Sequence, residues 1–144
     1  MAEEDVWWTA PAQSDGGRLI MVTGRRDVER FRSNPRFSIR VEVTWAYEGD
    51  ASGMPDTATS QLMEEVQEAL QRDFRRDPVA VLTGIFTGDG ERNWVFYTLS
   101  THIFGRKLNE ALADFPTLPI SIYCENDPDW QEYDEMSEAE IHFD

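Results

Sequence analysis

The chain has 144 residues and a mass of 16.6 kDa, a length that can bury one substantial core. Its aromatic content of 12% excludes the composition of disordered acidic chains, and no apolar run approaches the roughly 20 residues needed to span a bilayer. The lone Cys124 excludes an internal disulfide and a cysteine-built zinc site. The acidic start is unlike a signal peptide, so we expect a single cytoplasmic domain over residues 1–144.

The net charge of −15 is unevenly distributed. Residues 18–40 contain seven arginines and two acids, whereas residues 125–144 contain nine acids and neither lysine nor arginine. Such a field repels phosphate backbones and anionic membranes, and it attracts basic proteins in a salt-dependent way. It also serves plain solubility. We expect neither nucleic acid nor a membrane as partner, and the charge favours a basic protein.

Residues 5–36 are predicted to form an N-terminal β-hairpin followed by a short helical turn. The apolar segments 6–9 and 18–23 flank the turn sequence 14–17, and residues 27–31 fit one turn of helix. We expect the hairpin either to extend the main sheet or to cover its second face.

Residues 37–124 are predicted to form the main fold. Apolar and polar side chains alternate strictly from Phe37 to Tyr47, which indicates a strand with one buried face. Two helices with apolar stripes follow, the first capped by Asp56 or Thr57 and the second by Ser100 or Thr101. The elements in order are strand 37–47, a helix to about residue 74, strands 79–86 and 93–99, a helix broken at Pro116, and strand 118–123.

The order β-α-β-β-α-β is that of a ferredoxin-like sandwich. We therefore predict an α+β fold in which an antiparallel sheet carries two helices on one face, preceded by the N-terminal β-hairpin. The remaining residues, 125–144, are predicted to be an acidic C-terminal segment made of loop and a helical turn.

The sequence carries no enzyme signature. Its glycine-rich turns lack the spacing and the lysine of a phosphate loop, and the acids of residues 127–134 lack the pattern of a calcium loop. The two histidines lie forty positions apart without a recognisable ligand spacing. We expect no catalytic residue, no metal site and no cofactor.

The acidic C-terminal segment is the candidate partner-binding surface. Trp130 and Tyr133 lie within it, and such aromatics either pin a terminal segment onto a sheet or anchor a protein interface. The candidate residues are Asp127, Asp129, Trp130, Glu132, Tyr133, Asp134 and Glu135.

The alternative function is a small-ligand binder or an enzyme of unknown class, with a site near the loops at Gly53 and Arg92. Arg92 follows a tight turn, where its guanidinium either faces an anion or pairs locally with Asp89 or Glu91. The candidate residues of this loop site are Gly53, Asp89, Gly90 and Arg92. The oligomeric state is left open, although the net charge opposes self-association.

Four segments of the chain resemble the bacterial domain of unknown function 695 family. They are Val6-Trp7-Trp8, the loop Gly53-Met54-Pro55, the run from Thr83 to Tyr97 and the closing Asp127-Pro128-Asp129-Trp130-Gln131-Glu132-Tyr133. The last looks like the family's Asp-Pro-x-Trp-x-x-Tyr ending. The resemblance covers residues 6–136, and the chain departs from it in its many arginines and in the acidic extension after Met136.

This resemblance implies no established activity. Members are sometimes joined to a domain similar to the regulator of ribonuclease E activity B, a small acidic protein that binds an enzyme. By analogy the resemblance implies binding or regulation rather than catalysis. We therefore expect an acidic, non-catalytic binding or regulatory module that engages a basic protein partner.

Overall fold

The computed structural model describes residues 6–14 and 16–142, and side chains as far as residue 138. Asp15 of the predicted hairpin turn and the acidic ends of the chain lie outside the described residues. The elements are β1 (Trp7–Gln13), β2 (Leu19–Arg25), α1 (Glu29–Arg32), β3 (Ile39–Ala46), α2 (Thr57–Arg76), β4 (Ala80–Gly88), β5 (Glu91–Thr98), α3 (Thr101–Ala111), β6 (Ile120–Asn126) and α4 (Gln131–His142).

The six strands form one antiparallel sheet in the order β1-β2-β4-β5-β3-β6. The predicted N-terminal hairpin consists of β1 and β2, and it extends the sheet because β2 pairs with β4. β1 and β6 are the two edge strands. The predicted α+β class is confirmed, with an open sheet of six strands.

Helices α2 and α3 cover what we call the first face of the sheet. Each begins at a capping side chain: Asp56 accepts a hydrogen bond from the Thr59 N–H at 2.7 Å, and Ser100 accepts one from the Ile103 N–H at 3.2 Å. The helices pack on the alternating apolar residues of the strands, and an aromatic cluster joins them. Its rings, 5.0–5.4 Å apart, belong to Phe74, Phe96 and Phe104.

Phe37 departs from the predicted alternation. It precedes β3 and lies on the opposite, second face of the sheet, where its ring meets that of Phe31 edge-to-face at 5.4 Å. The strand's inward-facing pattern therefore starts at Ile39 and continues with Val41 and Val43.

The C-terminal segment forms a three-turn helix, longer than the helical turn predicted. α4 crosses the second face over β1, β2 and β4. Met136 is buried there against Trp8 and Val22, and a Cβ on Gly84 would lie only 2.5 Å from the Met136 sulfur. The absence of a side chain at Gly84 thus lets this helix approach the sheet closely.

A candidate binding groove

Asp127 positions the start of α4. Its carboxylate accepts hydrogen bonds from the backbone N–H groups of Gln131 and Glu132, at 2.9 and 3.0 Å, and from the Tyr97 hydroxyl at 2.7 Å. Burial alone raises the pKa of Asp127, but these donors outweigh it, so the pKa lies below its ordinary value. Asp127 is thus a buried anionic cap of the helix.

Trp130 and Tyr133 fasten the first turn of α4 to the sheet. The Trp130 indole stacks on the Tyr97 ring at 4.1 Å and donates its Nε1–H to the Phe37 carbonyl at 2.8 Å. The Tyr133 hydroxyl donates to the carbonyl of Arg25. Trp130 is only 1% exposed, so its aromatic surface is used within the molecule.

The part of the second face that α4 leaves open forms a groove of about 610 Å³. It runs between the first turn of α4 and the hairpin that joins β4 to β5. Part of its lining is apolar, from Ile20, Phe86 and Val95. Among the described lining residues the charged ones are four acids, Glu42, Asp89, Glu91 and Glu132, and one cation, Arg40.

Arg40 is neutralised within the protein. Its Nη1 donates to Glu42 at 3.0 Å on the same strand and to Glu125 at 3.4 Å on β6. Its side chain is only 13% exposed, and its buried Nε–H has no partner among the described residues. Since the guanidinium is held by two carboxylates, the groove keeps a negative field.

The exposed acids of α4 extend this field. The pKa of Glu132 is raised by burial and by the negative charges of the nearby Glu135 and Glu125, while the positive charge of Arg40 lowers it in part. Among the described residues no lysine or arginine pairs with Glu132 or Glu135. Asp134 differs, because Arg32 donates two hydrogen bonds to its carboxylate, at 2.8 and 2.7 Å.

The predicted partner-binding residues therefore fall into two groups. Asp127, Trp130 and Tyr133 have partners inside the molecule, as described above. The exposed group consists of Asp129, Glu132, Asp134 and Glu135. The prediction that this segment binds a partner rests on the exposed group, and above all on Glu132 and Glu135.

The predicted ligand-loop residues are brought together only in part. The Gly90 N–H donates to the Gly53 carbonyl at 3.0 Å. Gly53 has φ +88°, and a Cβ there would lie 2.9 Å from the backbone nitrogen of Asp89, so only glycine suits this approach. Asp89 in turn faces Arg18 at 3.6 Å.

Arg92 lies on the first face, near Met54 and Pro55, which follow Gly53 in the chain. Its Nε donates to the Thr87 hydroxyl at 2.9 Å, and its Nη1 donates to Glu64 at 3.1 Å. A cleft of about 390 Å³ lies beside it, between α2 and β2. Arg92 thus pairs with an acid, but that acid is Glu64 on α2, 28 positions away, and not the neighbouring Asp89 or Glu91.

Sequence reasoning missed one charged network, formed by Arg40, Glu42 and Glu125. Arg40 and Glu42 stand two positions apart on the polar side of the alternating strand, which places both on one face. That spacing is the signal that could have found them. Glu125 carries no such signal, since the pairing of β6 with β3 brings it to Arg40.

Two further kinds of feature are absent from the described residues. No three His, Cys, Asp or Glu side chains come together there as a metal site requires. Within the same residues, none of the helices combines the length and the apolar character needed to cross a membrane.

Fold and groove together define a class: α+β proteins with an open antiparallel sheet and an acid-lined second face. The chain belongs to a family of unknown function, DUF695, whose model matches residues 7–136. The family resemblance expected from the sequence motifs is thus confirmed. No curated protein and no solved structure matches the chain.

Proposed function

We propose that this protein is a non-catalytic binding or regulatory module whose acidic second face engages a basic protein partner. The observation that carries the proposal is the groove beside α4: its described lining holds four carboxylates and one cation, Arg40, which is already held by Glu42 and Glu125. Such a surface gains favourable electrostatic energy from lysine and arginine side chains.

The same groove opposes anionic ligands. A phosphate or carboxylate entering it would meet Glu42, Glu91 and Glu132, while the charge of the Arg40 guanidinium is already offset by Glu42 and Glu125. Nucleic acid and anionic membranes are disfavoured for the same reason. The acids that remain exposed on α4 support a partner of opposite charge.

The test uses two matched charge variants. One carries Glu132→Gln, Glu135→Gln and Glu138→Gln on α4. The control carries Glu65→Gln, Glu68→Gln and Glu110→Gln, exposed acids of the helices that cover the other face. Both remove three charges, so net charge alone affects them equally.

Each protein is tagged and used to capture partners from lysate of its source, at low and high salt. We expect the unmodified chain and the control to retain one basic protein near stoichiometry, released by salt. The α4 variant should bind it roughly tenfold more weakly. Equal retention by all three proteins would contradict the proposal, as would an acidic partner.

We also propose that residues 37–124 are a ferredoxin-like βαββαβ unit to which the hairpin adds two strands. The strand order β4-β5-β3-β6 supports this, as does the packing of α2 and α3 on the same face. An experimental structure with these helices on opposite faces would contradict it. A cytoplasmic location is part of the proposal as well, because a reducing compartment keeps the exposed Cys124 a thiol.

A small-ligand site remains the second candidate, favoured by the cleft beside Arg92 and Glu64. A polar ligand there would compete with Glu64 for the guanidinium. A thermal-shift screen of metabolites tests it: a ligand that raises the Tm of the unmodified chain and not that of Arg92→Gln would favour this site.

A further inference from the structure

The outer side of β6 offers an unpaired row of backbone groups. Asp127 donates to the Ser38 carbonyl and Ala46 donates to the Pro119 carbonyl, which fixes the hydrogen-bonded positions of the antiparallel pair. By the alternation of such a pair, Ile122, Cys124 and Asn126 point their N–H and C=O groups away from β3. Nothing among the described residues pairs with them.

The opposite edge of the sheet is protected against such pairing. In β1 the hydrogen-bonded positions are even-numbered, since Arg26 donates to the Val6 carbonyl and Ser14 to that of Arg18. Pro11 therefore falls at an outward-facing position, where it removes a donor. β6 contains neither proline nor lysine and carries a single charge, Glu125, so this edge lacks the usual safeguards.

The two sides of β6 have different chemistry. Ile120, Ile122 and Cys124 stand on the first face, opposite Trp45, Val43 and Val41 of β3. Ser121, Tyr123 and Glu125 stand on the second face. Ile122 is 47% exposed and Tyr123 is 58% exposed, so both sides are open to a further strand.

Charge selects the kind of strand that fits. On the second face, side chains next to β6 would meet Glu125 and lie near Glu42 across the strand, two acids that share the single cation Arg40 and so keep one excess negative charge. On the first face they would meet Ile122. The matching segment alternates lysine or arginine with apolar residues. A second copy of this chain does not match, because each copy carries a net charge of −15.

We propose that β6 binds an extended, basic segment of the partner protein as a seventh strand of the sheet. The inference rests on the proposed function and specifies its mode: backbone pairing with Ile122, Cys124 and Asn126, with the segment's basic side chains on the second face. Backbone pairing supplies affinity, and the alternation of side chains supplies specificity.

The experiment uses a seven-residue peptide of alternating lysine and valine as the probe. A second peptide has the same sequence with an N-methyl group on every backbone amide, which removes the donors of both strand edges and keeps every charge. A third peptide replaces lysine by glutamate. Binding is measured by titration with the full chain, and by the alkylation rate of Cys124, the only cysteine, as a footprint of the edge.

We expect the lysine peptide to bind, to slow alkylation of Cys124 and to protect the amides of Ile122 and Asn126 from hydrogen exchange. N-methylation should weaken binding roughly tenfold or more, and the glutamate peptide should not bind. Ile122→Pro, which removes an outward N–H, should weaken the lysine peptide similarly. The N-methyl comparison does not depend on how that variant folds.

The outcomes separate this inference from the proposed function. Suppose that the plain and N-methylated peptides bind equally well and that both bind the α4 charge variant more weakly than the unmodified chain. This result would overturn the seventh strand and leave the proposed function of the acidic face standing. No binding of the lysine peptide would overturn the seventh strand. If Cys124 is alkylated more slowly as the protein concentration rises, without any peptide, the edge pairs with a second copy of the chain. That result would also overturn the seventh strand.

Discussion

The Tyr97 hydroxyl donates a hydrogen bond to the Asp127 carboxylate at 2.7 Å, in the interior between β5 and the start of α4. The same carboxylate caps the helix, so one buried acid links the central strand to the C-terminal segment. The hydrogen bond between Tyr97 and Asp127 therefore helps to fix the orientation of α4 and of the acids that it carries. The acids of α4 depend on this anchor for their place beside the groove.

Asp127→Asn should destabilise the protein in a pH-dependent way. The pKa of Asp127 is lowered in the folded state, so its contribution is fully present above its unfolded pKa, about 4, and is lost as pH falls through the folded value. We expect a loss of about 1–2 kcal/mol at pH 7, shrinking in acid. Urea unfolding across pH measures it.

The matched control for that variant is Asp129→Asn, which removes the same charge from an exposed neighbour. It should change the free energy of unfolding by less than about 0.5 kcal/mol. A pH-independent loss in Asp127→Asn, or an equal loss in both variants, would contradict the capping role.

Trp130→Phe should loosen α4 without removing the ring stack. The substitution deletes the donor to the Phe37 carbonyl, which then stays buried without its partner. We expect a loss of about 1–3 kcal/mol and faster hydrogen exchange in α4. The exposed Tyr123→Phe is the comparison, and similar exchange rates in the two variants would count against this anchor.

Gly24→Ala should overpack the second face, because the added methyl group would overlap the Trp8 indole across the β1–β2 pair. A loss of about 1–3 kcal/mol is expected, and it should be smaller in a Trp8→Leu background. Gly105→Ala meets nothing within 4 Å on α3 and should be neutral or stabilising. Unfolding free energies of the unmodified chain, the three single variants and the double variant decide the matter, and an undiminished loss in the double variant would refute the contact.

Arg40→Gln should strengthen binding of the basic partner while weakening the fold. The substitution removes the one cation among the described residues that line the groove, and it leaves Glu42 and Glu125 without their shared donor. We expect a several-fold gain in affinity at low salt and a lower Tm. Weaker binding by folded Arg40→Gln would mean that this guanidinium itself contacts the partner.

The sequence predicts the strands and the two long helices well because each carries a strong periodic signal. The alternation in β3 and the capping residues Asp56 and Ser100 are local features, and the structure retains them. The sequence predicts too short a helix for α4, because within its run of acids only Tyr133 and Met136, among the described side chains, give apolar contacts to the sheet. Its stability comes from tertiary packing and from the Asp127 cap.

The candidate site was only partly accessible to sequence reasoning. Glu132 and Glu135 could be named from the acidic run, but which acids stay unpaired depends on distant residues. Asp134 meets Arg32 from a separate part of the chain, and Glu125 meets Arg40 across the β3–β6 pair. Such long-range pairs follow from the fold rather than from any local pattern.

The most direct test of the central claim is the affinity of the captured partner for three proteins at two salt concentrations: the unmodified chain, the α4 charge variant and the helix-face control. We predict that the α4 variant alone binds roughly tenfold more weakly and that salt reduces this difference. Equal affinities for the α4 variant and the control, or binding unaffected by salt, would contradict the central claim.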